Sequence, residues 1–138
     1  MRAVLDASVG MKLGIPEQDS SKAEALIADY IAGVHELLAP DIFPIEIAHG
    51  LIRAERRGII SDAPAKLADV MANSPILFSY LPFLGRAVEI AKQARVGVYD
   101  CLYVALAEQE KCELITADTS MLNALQAKFP FIRELSSI

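Results

Sequence analysis

Short apolar runs alternate with longer amphipathic segments along the whole chain. Each apolar run has the length of a buried strand and is followed by a charged residue or a proline. Strands are predicted at 2–5, 37–39, 76–80, 113–116 and 131–135. Strands that alternate with helices predict a parallel sheet with helices on both faces. The expected fold is therefore a three-layer α/β/α domain over residues 1–138 with four to five central strands.

The segments between the strands have apolar residues at helical spacing. Helices are predicted at 20–32, 42–57, 62–73, 83–95, 98–111 and 120–128. Gly33 and Gly58 lie just past two of these helices, where glycine commonly ends a helix. Asp41 is predicted to cap helix 42–57. Helix 98–111 is almost entirely apolar and is expected to be buried on nearly every side.

Composition narrows the class of protein. The chain has 138 residues, of which 54% are hydrophobic and 22% charged, which is typical of one globular domain and not of a disordered chain. The longest uncharged stretch, 70–85, is too short and too rich in proline to span a bilayer. Asp6 comes too early for a secretory signal. Cys101 and Cys112 match no zinc or redox motif, so we expect reduced core cysteines in a soluble, cytoplasmic protein.

Charge is unevenly distributed. A net charge of −5 argues against a protein that coats nucleic acid by neutralising phosphates. Residues 53–95 nevertheless contain seven basic side chains and four acidic ones, whereas the rest of the chain has six basic and fourteen acidic. One region could thus hold a phosphate backbone while another holds metal ions. Charges simply scattered over the surface are the alternative.

Two aspartates follow predicted strands. Asp6 ends the first strand and Asp118 comes shortly after the strand 113–116. Ligands of open parallel sheets bind beyond the carboxyl ends of the strands, so the two carboxylates would be neighbours if these strands pair. The alternatives are a helix cap for Asp118 and a turn residue for Asp6.

Two further acids lie on predicted helices. Asp100 begins a very apolar helix with no lysine or arginine within a helical turn, so a metal ion is a natural partner for its charge. A simple first-turn acid is the alternative. Glu46 shares one helical stripe with Gly50, Arg53 and Arg57, and Gly50 is expected to leave room beside the carboxylate. The stripe is either one wall of a groove, acidic at one end and basic at the other, or an ordinary solvated face.

Together these four acids form an all-oxygen donor set. Such a set suits Mg²⁺ or Mn²⁺, whereas zinc prefers nitrogen and sulfur, and the chain contains only two histidines. Carboxylates grouped without a cation repel one another, so a cation would hold them together. Hydrolysis of a phosphodiester by metal-activated water is one reaction that such a site performs.

Four segments in order resemble the signature motifs of the PIN-domain family, in particular its VapC-type branch of toxin ribonucleases from prokaryotic toxin–antitoxin pairs. The segments are VLDASV at 4–9, APD at 39–41 with EIA at 46–48, VYDCLYVALA at 98–107, and LITAD at 114–118. Each motif is weak alone, but their order and spacing cover nearly the whole chain. Leu13 replaces a tryptophan common in the family, and His49 an asparagine.

The resemblance implies an Mg²⁺- or Mn²⁺-dependent endoribonuclease, a homodimer, and a small antitoxin protein as partner. It implies that Asp6, Glu46, Asp100 and Asp118 form the catalytic, metal-binding quartet, with Asp6 and Asp100 as direct ligands. Ser8 and Thr116 match the small hydroxyl residues that orient these acids or water. Arg53 and Arg57 are candidate RNA contacts, and RNA rather than DNA rests on the resemblance alone.

Two other functions compete with this hypothesis. A phosphorylation-receiver domain also has acids at strand ends, but it needs an aspartate after its third strand and a lysine after its fifth, and this chain has neither. A catalytically silent module with the same fold, binding RNA or protein, remains the main alternative. Cleavage assays with and without Mg²⁺ distinguish it from an enzyme.

Overall fold

The apolar runs form one parallel sheet of five short strands in the computed structural model, which describes residues 1–138. The strands are β1 Arg2–Leu5, β2 Glu36–Pro40, β3 Ile76–Phe78, β4 Glu113–Thr116 and β5 Ile132–Glu134. The strand order is β3-β2-β1-β4-β5. Helices cover both faces of the sheet. The predicted three-layer α/β/α fold with four to five parallel strands is therefore confirmed.

Seven helices connect the strands. They are α1 Ala7–Met11, α2 Ser20–Ile31, α3 Phe43–Arg56, α4 Ala63–Met71, α5 Leu84–Ala94, α6 Val98–Glu110 and α7 Thr119–Leu125. Short 3-10 helices at Leu81–Phe83 and Leu135–Ser137 complete the chain. Six of the helices match predicted ones to within a few residues. None is long and apolar enough to cross a membrane.

The order in which the chain adds strands to the sheet reverses at β1, although the paired strands are all parallel. The first three strands proceed outward from β1, and β4 then pairs with the free side of β1 in parallel. The register aligns Leu5 with Ile115, and the Asp6 amide donates to the Ile115 carbonyl at 3.0 Å. A reversal of strand order opens a crevice at the carboxyl ends of the strands. The strand pairing on which the expected proximity of Asp6 and Asp118 depends is thus present.

Helix α6 forms the centre of the hydrophobic core. Every residue from Cys101 to Ala107 is buried, as the apolar composition of this helix predicted. The helix packs on α5 and on strands β1 and β2. Both cysteines are free, Cys101 inside the core and Cys112 at its edge, in agreement with the expectation of no disulfide.

Three local expectations were wrong or incomplete. Asp41 does not cap α3; its Oδ1 accepts a hydrogen bond from the Tyr80 amide at 3.1 Å, so it ties the end of β2 to the segment after β3. The strand predicted at 76–80 ends at Phe78, where the chain turns toward the 3-10 helix. Helix α1 was not predicted, because five residues are too few to show a helical period.

The short helix α1 is held tightly against α3. A methyl group on Gly10 would lie 2.7 Å from Cζ of Phe43 and 2.9 Å from Cδ1 of Ile47, so only glycine allows this approach. The close contact fixes the segment that directly follows Asp6. It therefore positions the residues at the carboxyl end of β1.

Candidate active site

Asp6 is held by a compact hydrogen-bond network at the crevice between β1 and β4. Its Oδ2 accepts from Ser8 Oγ at 2.5 Å, from Thr116 Oγ1 at 2.9 Å and from the Ser8 amide at 3.3 Å. The two hydroxyl oxygens accept in turn from the amides of Ala117, at 2.9 Å, and Asp118, at 3.1 Å. Both hydroxyl protons thus point at one carboxylate oxygen, which fixes the orientation of the side chain.

The other carboxylate oxygen of Asp6 is free. Oδ1 accepts no hydrogen bond, and since the protein contains no buried side-chain polar atom without a partner, Oδ1 must reach solvent. The residue as a whole is only 4% exposed. Burial raises the pKa of Asp6, the hydroxyl hydrogen bonds oppose this rise, and the charge of Asp118 adds to it. One oxygen of a buried acid is therefore oriented toward the crevice.

Asp118 serves as the N-cap of α7. Its Oδ1 accepts from the amides of Ser120 at 2.9 Å and Met121 at 3.3 Å, so the alternative interpretation as a helix cap is correct. Capping occupies one oxygen and leaves Oδ2 without a protein donor. The half-buried carboxylate still acts on its neighbours, because its charge raises the pKa of both Asp6 and Asp100.

Asp100 has no partner of opposite charge. It lies half-buried in the first turn of α6 and forms no hydrogen bond or ion pair through its side chain. Burial, followed by the charges of Asp6, Asp118 and Glu46, raises the pKa of Asp100 to about 7. The four predicted acids thus form one electrostatic cluster, in which the charges of the other three disfavour ionisation of Asp100.

Glu46 completes this cluster from α3. Its Oε1 accepts a hydrogen bond from the hydroxyl of Tyr103 at 2.7 Å. Burial raises the pKa of Glu46 more than this bond lowers it, and the charge of Asp6 raises it further. Analysis of the sequence did not identify Tyr103. The only signal was that Tyr103 carries the one hydroxyl in the uncharged run 101–107.

A groove of about 440 Å³ extends from Glu46 along α3. Gly50 and Arg53 from the predicted helical stripe line it, together with His49 and Ser8. Arg57, by contrast, lies beyond the groove at the C-terminal end of α3. The space beside Gly50 is not open as expected, because a Cβ there would clash with Cε of Met11.

A second cavity of about 440 Å³ adjoins the first. It shares Ile45, Glu46 and Tyr99 with the groove, and its remaining lining is apolar except for the hydroxyl of Tyr80. Ile45 is 70% exposed and Tyr99 63% exposed, so both side chains stand at the boundary between the two spaces. Glu46, the one acid of the cluster that lines both spaces, therefore lies between a groove that contains Arg53 on α3 and an apolar cavity toward α5 and α6.

The donor chemistry of the cluster fits a hard divalent cation. All four side chains offer oxygen, and Asp6, Asp118 and Asp100 each keep an oxygen without a protein donor. No three of the His, Cys, Asp and Glu side chains converge closely enough to hold an ion between them directly. Mg²⁺ commonly retains several waters and binds one or two carboxylates, which suits this spacing.

Comparison with known proteins identifies the class of this chain. The family model described as "PIN domain" matches residues 3–125. The chain therefore belongs to the PIN domain family. Ribonuclease VapC3 of Pyrobaculum aerophilum is 34% identical over 134 residues, which cover 94% of this chain and 96% of that protein. Ribonuclease VapC9 of Mycobacterium tuberculosis is 30% identical over 128 residues, covering 92% and 94%.

Solved structures show the same fold. PAE2754 from Pyrobaculum aerophilum superimposes with a TM-score of 0.71 at 20% identity, covering 99% of this chain and 94% of the other. VapBC2 from Rickettsia felis, crystallised with a DNA fragment of its promoter, gives a TM-score of 0.66 at 15% identity, covering 97% and 98%. A toxin–antitoxin complex from Klebsiella pneumoniae gives 0.62 at 16% identity, covering 96% and 97%.

The raised pKa of Asp100 predicts a pH-dependent stability of the metal-free protein. Between about pH 4 and about pH 7 the folded state holds a proton that the unfolded chain releases, so stability falls as pH rises through this window. Asp100→Asn abolishes this contribution. We expect the variant to melt at a higher temperature than wild type at pH 8 in EDTA, with the difference vanishing near pH 4.

Thermal melts at several pH values test this expectation. Asp69→Asn, which changes an exposed acid of α4, is the matched control and should follow the wild-type curve. Parallel melting curves for wild type and Asp100→Asn would contradict the assignment of an unfavourable charge to Asp100.

Proposed function

We propose that this protein is a divalent-metal-dependent endoribonuclease that hydrolyses RNA phosphodiester bonds as the toxin of a toxin–antitoxin pair. The principal support is the cluster of Asp6, Glu46, Asp100 and Asp118, four acids with no basic partner at the carboxyl end of a parallel sheet. The ribonuclease names of relatives at 30–34% identity support the same activity. Because the proposed substrate is RNA, we place the protein in the cytoplasm.

Each residue of the cluster has a distinct task in the proposed reaction. Ser8 and Thr116 orient Asp6, so that its free Oδ1 faces the crevice, and their hydrogen bonds oppose the rise that burial causes in its pKa. Asp100, Glu46 and Asp118 supply the remaining negative charge that would bind Mg²⁺ or Mn²⁺, with Asp6 and Asp100 as direct ligands. A bound ion would lower the pKa of the attacking water and stabilise the leaving oxygen. The buried surroundings strengthen each electrostatic interaction.

Asp6→Asn and Asp100→Asn should each abolish Mg²⁺-dependent RNA cleavage while the protein stays folded. The asparagine at either position keeps the size of the side chain but loses the charge that attracts the ion. Cleavage of a labelled RNA with Mg²⁺ and with EDTA measures the activity, and circular dichroism measures the fold. Asp69→Asn again serves as the control and should cleave at the wild-type rate.

The outcomes of this assay also separate the enzyme from a silent binding module. A catalytically silent module would show no Mg²⁺-dependent cleavage in the wild type. Wild-type rates in the Asp6 and Asp100 variants would instead move the active site elsewhere in the molecule.

RNA reaches the acids along the groove on α3 in this proposal. Arg53 lines the groove and Arg57 follows one turn later; both are exposed and neither forms an ion pair. Their free guanidinium groups can neutralise phosphates of a strand that the acids would otherwise repel.

Arg53→Ala and Arg57→Ala should weaken RNA binding about equally for all sequences. Each should flatten the dependence of log affinity on log salt by about 0.7 to 1, since one phosphate contact is lost. Neither should change metal affinity. Filter binding at three salt concentrations, with Ca²⁺ in place of Mg²⁺ to suppress cleavage, measures the slope.

Lys92→Ala is the control for this experiment, because it changes an exposed cation on α5 outside the groove. If the arginine variants keep the wild-type salt slope, this helix face is merely solvated and RNA enters elsewhere.

The proposed toxin is silenced by a small antitoxin protein. Four acids without a basic partner form a receptor for a cationic side chain, and arginine can bind two carboxylate oxygens at once. An arginine of the partner placed among them would replace the charge of the metal and block the groove. The solved complexes of similarly folded proteins from Klebsiella pneumoniae and Rickettsia felis make such a partner the natural choice.

We place the contact of a homodimer at the uncharged segment 70–85. This segment exposes Ile76, Leu77 and Leu81, of which Leu81 is 64% accessible. Apolar side chains grouped in this way are typical of a protein–protein contact. Leu81→Lys should therefore convert a dimer of about 30 kDa, twice the 15.0 kDa chain, into a monomer in sedimentation equilibrium.

Val34→Lys is the matched control for the dimer. Val34 is 59% exposed but lies beside the N-terminus, at the opposite end of the sheet from the crevice. A wild-type protein that sediments as a monomer at micromolar concentration would contradict the dimer.

A further inference from the structure

We propose that Tyr103 is a positioning residue that holds Glu46 in place for a divalent cation. The inference rests on the proposed function, because it assigns a task within the same acid cluster. Tyr103 itself is completely buried and does not line either cavity, so it acts through Glu46 and not on the substrate.

The contact between the two residues links two separate elements. Tyr103 lies three residues after Asp100 on α6, and residues three apart share one face of a helix. Its hydroxyl donates to Glu46 Oε1 of α3 at 2.7 Å. The bond therefore ties the position of Glu46 to the helix that carries Asp100.

Packing alone does not explain why residue 103 is a tyrosine. Tyr103 contributes the only side-chain oxygen among the seven buried residues from Cys101 to Ala107. Phenylalanine would fill the same apolar space without bringing a polar group into the core. The hydroxyl has one hydrogen-bond partner, and that partner is an acid of the cluster.

The hydrogen bond to Oε1 restricts the conformations of the Glu46 carboxylate. A glutamate side chain has several rotatable bonds, and a free one samples many positions. With Oε1 bound to Tyr103, the carboxylate is anchored and Oε2, which has no protein donor, is left for a cation or its waters. Residues that orient ligands in this way commonly affect metal affinity 10- to 100-fold, about the range expected here.

Titration of the metal-free protein with Mn²⁺ in a calorimeter tests the assignment without RNA. Tyr103→Phe should remain folded and bind Mn²⁺ about 10- to 100-fold more weakly than wild type. In a Glu46→Ala background the same substitution should have no further effect, because the residue through which it acts is gone.

Tyr30→Phe is the matched control. The hydroxyl of Tyr30, on α2, donates to the Ser74 carbonyl at 3.1 Å and forms no hydrogen bond with any of the four acids. This variant loses a comparable hydrogen bond, so it should melt at a similarly lowered temperature yet bind Mn²⁺ like wild type.

The possible results are distinct. If wild type binds Mn²⁺ and Tyr103→Phe binds it equally well, Tyr103 has only a structural role and the inference is overturned, while the proposed ribonuclease stands. An equal further loss of affinity in the Glu46→Ala background would also overturn it. If wild type binds no Mn²⁺, the proposed metal dependence fails, and this inference fails with it.

Discussion

Parallel pairing of β1 with β4 is the constraint on which the candidate site depends. It aligns Leu5 with Ile115, so the next residues, Asp6 and Thr116, come side by side at the point where strand order reverses. A shift of one residue in this register would turn every buried side chain of β1 to the opposite face. Val4, Leu5, Leu114 and Ile115 are all completely buried, so both faces of these strands pack in the core, and the observed register allows the hydrogen bond between Thr116 and Asp6.

The same core that fixes this geometry makes the acids expensive to ionise. Burial is the first cause of the raised pKa of Asp6, Glu46 and Asp100, and their mutual repulsion adds to it. Hydrogen bonds from Ser8, Thr116 and Tyr103 offset only part of this penalty. The proposed divalent cation would remove both causes at once, since it would neutralise the repulsion and replace the lost hydration. The fold and the proposed cofactor are thus coupled through the charge of one cluster.

Most of the fold could be predicted from the sequence, because strand-length apolar runs and helical periods are local properties. The four acids could also be found, since each interrupts an apolar pattern or ends a strand. Contacts between distant segments could not. Asp41 looks like a helix cap until β3 brings the Tyr80 amide to it, and the gap beside Gly50 looks open until α1 places Met11 there. Tyr103 was missed for the same reason, because its proposed role depends on a hydrogen bond to Glu46, which lies 57 residues away in the sequence.

Fold similarity by itself does not separate a nuclease from a binding module, since solved relatives at 15–20% identity establish only the architecture. The electrostatic cost of grouping these acids distinguishes a nuclease from a binding module better. A silent module would gain stability from an amide at position 100, where an unpaired carboxyl group has its pKa raised to about 7 by burial and by three neighbouring acids. Both hydroxyl groups of Ser8 and Thr116 moreover donate to Asp6, which offsets part of the rise that burial causes in its pKa. Four acids without a basic partner support the proposed divalent cation, and the adjoining groove with Arg53 supports the proposed RNA substrate.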